Sequence, residues 1–321
     1  MVSKRRLAAL TAGLAMLTIP TGGLAQSAAP PSNSPDAVKL GFITKFPVDF
    51  FFTLENAAKA WDAAHPEAQV LFAQGASATD DAGEIAAIED LVTQGVKGIA
   101  ITPTSAAVAP ALDKAIAAGV KVILMDNDLP DWTGKSAVVA TDNLAGGTLA
   151  GKYLASVLKA GDTLAILEGV PGVPALDARV NGMLAGLGDL AAQVQVVKKL
   201  ETDCDEVKGQ SATDDILTSN PDVTAIYGAC GPPMVGAVKS LTNANVKPED
   251  IILVGFDALP AEVAQIIAGT EDASVAQFPA KIGELGVDTL MKVINGETVA
   301  PFVDTGTALV TSANASDFAA K

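Results

Sequence analysis

From Val38 onward, short apolar runs rich in β-branched residues alternate with alanine-rich stretches of helical spacing, and this alternation limits the fold more than any other feature. Residues 40–44, 69–73, 96–102, 120–126, 162–168, 193–199, 223–227, 251–257 and 273–277 read as strands. Residues 82–94, 106–118 and 144–159 between them place apolar side chains at helical spacing. Such order predicts parallel sheets covered by helices, an α/β protein. The strands are nearly unbroken apolar runs, as burial of both sheet faces requires.

A chain of 321 residues is long enough for two hydrophobic cores. A weak internal echo supports two similarly built lobes. VKGIAITP (96–103), a helix and a strand ending at Asp126 resemble VTAIYGAC (223–230), a helix and a strand ending at Asp257. Ligands of open parallel sheets bind at the carboxyl ends of strands, so both aspartates are candidate ligand contacts, with helix N-caps or turn formers as the open alternative.

The N-terminus predicts export. Lys4, Arg5 and Arg6 precede an apolar run over residues 7–19, and Gly23-Leu24-Ala25 places small residues at both cleavage-site positions. Cleavage after Ala25 would leave an Ala/Pro/Ser/Asn tether over 26–37 and remove three basic residues. The mature chain then holds 18 Lys+Arg against 37 Asp+Glu, a net charge of −19, which makes nucleic acid a poor partner.

Enzyme chemistry finds little purchase. His65 is the only histidine, next to Pro66 at the end of a predicted helix, where a solvated surface position is expected. Paired-histidine metal sites and two-histidine nucleophile systems are therefore excluded, and neither metal nor cofactor is expected. GGTLAGKY (146–153) has the GxxxxGK spacing of a phosphate loop, but Tyr153 stands where Ser or Thr must bind magnesium and the glycines fall within a predicted helix. Helix packing is the expected role of those glycines. No carboxylate pair at strand ends comes with a metal-ligand partner or an activated nucleophile. By contrast KFPVDFFF (45–52), after the first strand, concentrates aromatics in a chain with 4% of them, a composition suited to stacking on sugar C–H faces.

Over residues 38–310 the chain resembles the ribose-binding type of periplasmic substrate-binding protein, the receptor component of bacterial ABC importers for sugars and polyols. The matching segments are KFPVDFFF, AAIEDLVTQGVKGIAITP (86–103), GVKVILMDND (119–128), ATDNLAGGTLAG (140–151), LDARVNGM (176–183), ILVGFDA (252–258) and ASVAQFPAKIGELGVD (273–288). This resemblance implies the type I periplasmic binding protein fold: two Rossmann-like lobes with parallel sheets, joined by a three-crossing hinge. The implied lobes are 38–141 plus 278–306 and 142–277 plus 307–318, with crossings near Thr141, Gln277 and Gly306.

Carried over by position, the implied ligand contacts are Lys45, Asp49, Phe51 and Phe52, with Phe50 the alternative to Phe52, then Asp126, Asn127, Arg179, Asp257 and Gln277. Pentose binders usually have Arg where this chain has Asn127, which leaves the contact with a sugar ring oxygen open and tilts the expectation toward a polyol. Cys204 and Cys230, the only cysteines, occupy positions that contact one ligand from the same lobe, so an exported chain is expected to join them in a disulfide. Free pocket thiols or two buried small hydrophobes remain the alternatives. The expected protein is a monomeric, non-enzymatic periplasmic receptor that hands a small neutral carbohydrate or polyol to an inner-membrane permease. A secreted carbohydrate-acting hydrolase lacks its nucleophile here, and a sugar-sensing regulator lacks a basic helix-turn-helix before residue 38.

Overall fold

The computed structural model describes Ser34 and residues 36–319. The predicted export segment 1–25 and most of the tether 26–37 lie outside the described residues. No helix among the described residues is long and apolar enough to cross a membrane.

The chain first lays down β1 (Val38–Thr44), α1 (Asp49–Ala64), β2 (Ala68–Gln74), α2 (Asp81–Thr93), β3 (Gly98–Ile101), α3 (Ala109–Ala117), β4 (Lys121–Met125) and β5 (Val138–Ala140). It then builds α4 (Asn143–Val157), β6 (Thr163–Glu168), α5 (Pro174–Gly186), β7 (Gln195–Glu201), α6 (Glu206–Ser219), β8 (Ala225–Gly228), α7 (Gly231–Asn243), β9 (Ile252–Asp257), α8 (Pro260–Ala268) and β10 (Ala273–Ala276). Finally α9 (Pro279–Ile294) and β11 (Phe302–Asp304) return to the first sheet, and β12 (Ala308–Thr311) to the second.

All nine predicted strands are present. The three that the sequence reading lacks, β5, β11 and β12, are three or four residues long and sit at or beside a sheet edge. Strands so short have too few alternations to stand out from loop. The sheets run β11-β5-β4-β3-β1-β2 and β12-β10-β9-β8-β6-β7, the same order twice. In that order β3 corresponds to β8 and β4 to β9, so the sequence echo reflects equivalent places in two lobes. Pairing is parallel throughout the first sheet, whereas β12 runs antiparallel to β10.

Each sheet is buried on both faces, which explains the unbroken apolar strands. Along β4, Ile123 and Met125 face one core while Val122 and Leu124 face the other. Along β9, Val254 and Phe256 face one side and Leu253 the opposite one.

The glycines of GGTLAGKY lie inside α4 and pack it against α5. A Cβ on Gly147 would sit 2.2 Å from the carbonyl oxygen of Arg179, and one on Gly151 2.0 Å from that of Met183. Only glycine allows this approach, and it brings Arg179 within reach of Asn143, the first residue of α4.

The chain passes between sheets three times, after β5, after β10 and between β11 and β12. The passages are tied to their surroundings. Thr141 and Thr305 place their hydroxyls 3.4 Å apart, Asp142 donates its N–H to Asp304, and the Thr307 hydroxyl donates to the carbonyl of Ala276.

Candidate functional site

The carboxyl ends of β1, β4, β6, β7, β8, β9 and β10 converge on a cavity of about 70 Å³ between the two sheets. It is lined by Lys45, Phe46, Phe50, Phe51, Asp126 and Asn127 from the first lobe. Arg179, Asp257, Gln277, Cys204, Cys230 and Leu176 come from the second. A roomier cavity of about 460 Å³ adjoins it, sharing Ala78, Asn127, Val170 and Val173 and bounded by Trp132 and Pro103.

Asp257 organises the second lobe's side. Its Oδ1 accepts from Arg179 Nη1 at 3.1 Å and Gln277 Nε2 at 2.7 Å, and its Oδ2 accepts from the N–H of Gly231 at 3.0 Å. Gly231 is the first residue of α7, so Asp257 satisfies one orphan donor of that helix and none of the helix that follows it in sequence. The capping alternative is thus correct for a different helix. Asp257 at φ 98° and Asp126 at φ 62° both lie in the left-handed region, which turns each chain sharply out of its strand at the cavity.

Arg179 is 4% exposed. Its Nε donates to Asn143 at 2.8 Å and its Nη1 also donates to the carbonyl of Ala229 at 2.9 Å, while the guanidinium lies 4.0 Å from the Phe256 ring centre. Such a charge is tolerable in a buried site because several acceptors and an aromatic face share it.

The first lobe is less complete. Asp126 Oδ1 is buried with no hydrogen-bond partner, and burial pushes the carboxyl up to about 6 against the opposing pull of Arg179 and Lys45. Lys45 is buried too, and desolvation lowers its ammonium pKa while Asp126 and Glu84 counteract. Behind it Glu84 accepts from the N–H and hydroxyl of Thr104 at 2.7 and 2.6 Å, and burial raises its carboxyl to about 7. Asn127 reaches only the carbonyl of Pro103, at 3.5 Å. Across the cavity Gln277 Oε1 is likewise unpartnered. Free buried acceptors and a free ammonium aimed at one space are what a hydroxylated ligand would satisfy.

Two expected contacts lie elsewhere. Asp49 opens α1 and is exposed, and Phe52, one turn on, is 44% exposed. Residues three apart on a helix share a face, and here that face is turned to solvent. Phe50 takes the place expected of Phe52, meeting Phe51 edge to face at 5.2 Å, and Phe51 meets Phe46 likewise. His65 is another departure: its ring stacks on Trp61 with centres 3.9 Å apart, so it closes the end of α1 half-buried.

Cys204 and Cys230 are bonded, with Cα atoms 5.7 Å apart. Gly169 makes room for them, since a Cβ there would come within 2.9 Å of Cys204 Sγ. The lining residues Phe46, Val170, Val173, Leu176, Pro232 and Leu259 are not among the ligand contacts expected from the sequence, because an apolar lining residue carries the same signature as a core residue. Asn143 lies inside the quoted segment ATDNLAGGTLAG, yet its service to Arg179 depends on the α4–α5 approach.

Residues 40–298 match the family described as periplasmic binding protein domain. The ribose import binding protein of Haemophilus influenzae is 33% identical over 297 residues, spanning 92% of this chain and 95% of that one. An ABC transporter solute-binding protein from Burkholderia graminis, solved with D-arabinose, superposes with a TM-score of 0.83 at 26% identity, over 90% of this chain and 99% of that one. Another from Mycobacterium smegmatis, solved with glycerol, gives 0.82 at 29%, over 89% and 98%. With its two equivalent lobes and interlobe cavity, the chain belongs to the periplasmic binding protein family, as a solute-binding protein of an ABC transporter and not an enzyme.

Proposed function

We propose that this protein captures a small neutral sugar or polyol between its lobes in the periplasm, after removal of residues 1–25, and as a monomer delivers it to the permease of its ABC importer. The observation that carries this reading is the set of buried and half-buried polar side chains shared by both lobes: Lys45, Asp126 and Asn127 face Arg179, Asp257 and Gln277. Two cationic and two anionic side chains balance one another, so a charged ligand would arrive without a counter-charge. Hydroxyl groups both donate and accept, and they suit free acceptors beside an ammonium. The relatives' ligands, ribose, D-arabinose and glycerol, belong to this class.

Closure is assigned to the three passages near Thr141, Gln277 and Gly306, where short segments absorb the dihedral change while each lobe moves as a body. Native mass spectrometry of protein purified without refolding, then a thermal-shift screen of pentoses, hexoses and C4–C6 polyols, tests the ligand class. A binder raises the melting temperature through the linkage RT ln(1 + [L]/Kd). The radius of gyration from small-angle scattering should fall at saturation. A panel in which only charged compounds shift the melting temperature would sink the reading.

A further inference from the structure

The order of the second sheet sorts its cavity-facing residues by polarity. Gln277 follows β10 and Asp257 ends β9 on one side, whereas Cys230, Val170 and Cys204 follow β8, β6 and β7 on the other. The polar pair and Arg179 are gathered at the first side by their mutual bonds. On the other, the cavity meets the Cys204–Cys230 bond, Val170, Leu176 and Pro232, none of which carries an O–H or N–H on its side chain. Disulfide formation itself removes the two S–H donors that free thiols would have offered.

Part of the backbone at this wall is also committed. The Ala229 carbonyl is taken by Arg179 and the Gly231 N–H by Asp257, and Pro232 has no N–H. The wall is tightly built, for a Cβ on Gly169 would come within 2.4 Å of Leu176 and 2.9 Å of Cys204. A ligand hydroxyl pressed against it would give up water and find no side-chain partner. A CH₂ or CH₃ group would lose nothing.

Resting on the neutral-carbohydrate reading above, we infer that the wall formed by the Cys204–Cys230 bond, Val170, Leu176 and Pro232 receives an unhydroxylated end of the ligand. The site therefore selects deoxy sugars or methyl-terminated polyols over their fully hydroxylated counterparts. The disulfide is a specificity element here as well as a staple.

Calorimetry on oxidised protein freed of co-purified ligand tests this with matched pairs: D-ribose and 5-deoxy-D-ribose, D-galactose and D-fucose, L-mannose and L-rhamnose, erythritol and 1,2,3-butanetriol. In the pair that binds, the deoxy member should be tighter by about 10-fold or more. Val170→Thr, which keeps the shape and adds a hydroxyl to the wall, should narrow that gap while leaving the melting temperature of the free protein nearly unchanged. A hydroxylated member that binds as well as or better than its deoxy partner overturns the inference and leaves the proposed function standing. An unchanged gap in Val170→Thr overturns the assignment to this wall. Binding by no member of any pair, nor by any other neutral sugar or polyol, overturns the proposed function and this inference with it.

Discussion

The two lobes repeat one strand order, yet their halves of the cavity differ in how far the protein satisfies them by itself. In the second lobe Asp257 holds Arg179 and Gln277, Asn143 and two backbone groups complete the set apart from Gln277 Oε1, and a disulfide closes the adjacent wall. The first lobe instead leaves Asp126 Oδ1 buried and unpartnered beside a buried Lys45, and covers them with the rings of Phe46, Phe50 and Phe51. Polar groups that are fully bonded keep their geometry without a ligand, whereas unpartnered ones gain most when a ligand arrives. The second lobe thus acts as a preorganised template and the first as the half that the ligand completes.

The sharpest way to break this contrast is to remove the template's centre. Arg179→Met keeps an aliphatic stem over Phe256 but deletes every bond of the guanidinium, leaving Asp257 short of a charged partner. Binding should fall by about 1,000-fold or more, with a stability loss on the order of 3–5 kcal/mol because a buried pair has been broken from one side. Both are read by calorimetry and by urea unfolding. Unchanged affinity would falsify the template role.

Next in size is the staple. Replacing both cysteines by serine opens a loop of 26 residues and should cost roughly 3–4 kcal/mol in the chain-entropy model. Hydrogen exchange should rise around residues 202–206 and 229–232 while the first lobe's strands stay protected. If exchange instead rises evenly through both lobes, the bond supports the whole molecule and the contrast between lobes fails.

The first lobe's unfinished polarity should appear as pH dependence. Glu84 is raised to about 7 and Asp126 to about 6, both through burial that disfavours the carboxylate. A carboxyl raised on folding contributes stability that is full below its unfolded pKa and is lost as pH climbs through the folded value. Between pH 4.5 and 8 the free protein should therefore lose stability, with Glu84 accounting for on the order of 3 kcal/mol at the upper bound. Glu262 and Glu271, buried together in the second lobe, shift the same way, so Glu84→Gln should reduce the slope without abolishing it. A slope identical to that of the parent protein would remove Glu84 from the account.

Much of this architecture was legible because it is periodic. Long central strands announce themselves by continuous apolar runs, and the repeated Asp at two strand ends pointed to equivalent places in the two lobes. β5, β11 and β12 were not legible, since three or four residues at or near an edge hold too little pattern. Arg179 was found through motif resemblance and Asp257 already through its strand-end position, but their mutual bond depends on how closely α5 approaches α4, which glycines permit and no local pattern announces. No local pattern marks the acids Glu84, Glu262 and Glu271 as buried, because only tertiary packing decides which carboxylates lose their water.

The smallest expected effect tests where the first lobe's ligand face ends. Helix α1 begins at Asp49, so Asp49 and Phe52 share one side while Phe50, Phe51 and Leu54 fill the buried one. A single exposed aromatic on a soluble surface requires no function, and a surface change away from caps or networks shifts stability by about 0.5 kcal/mol or less. Phe52→Ala should accordingly leave stability within about 0.5 kcal/mol, Asp49→Ala, which removes an acid from the first turn of α1, within about 1 kcal/mol, and both should leave affinity within about twofold of the parent. Phe51→Leu supplies the contrast: it lies in the cavity wall between Phe46 and Phe50, and losing both edge-to-face contacts should weaken binding by about 10-fold. The three variants are measured side by side by calorimetry with a ligand identified in the thermal-shift screen. If Phe52→Ala weakens binding as much as Phe51→Leu does, the first turn of α1 must rotate on closure to bring its outer face to the ligand. The first lobe would then be unfinished in its backbone as well as in its hydrogen bonds.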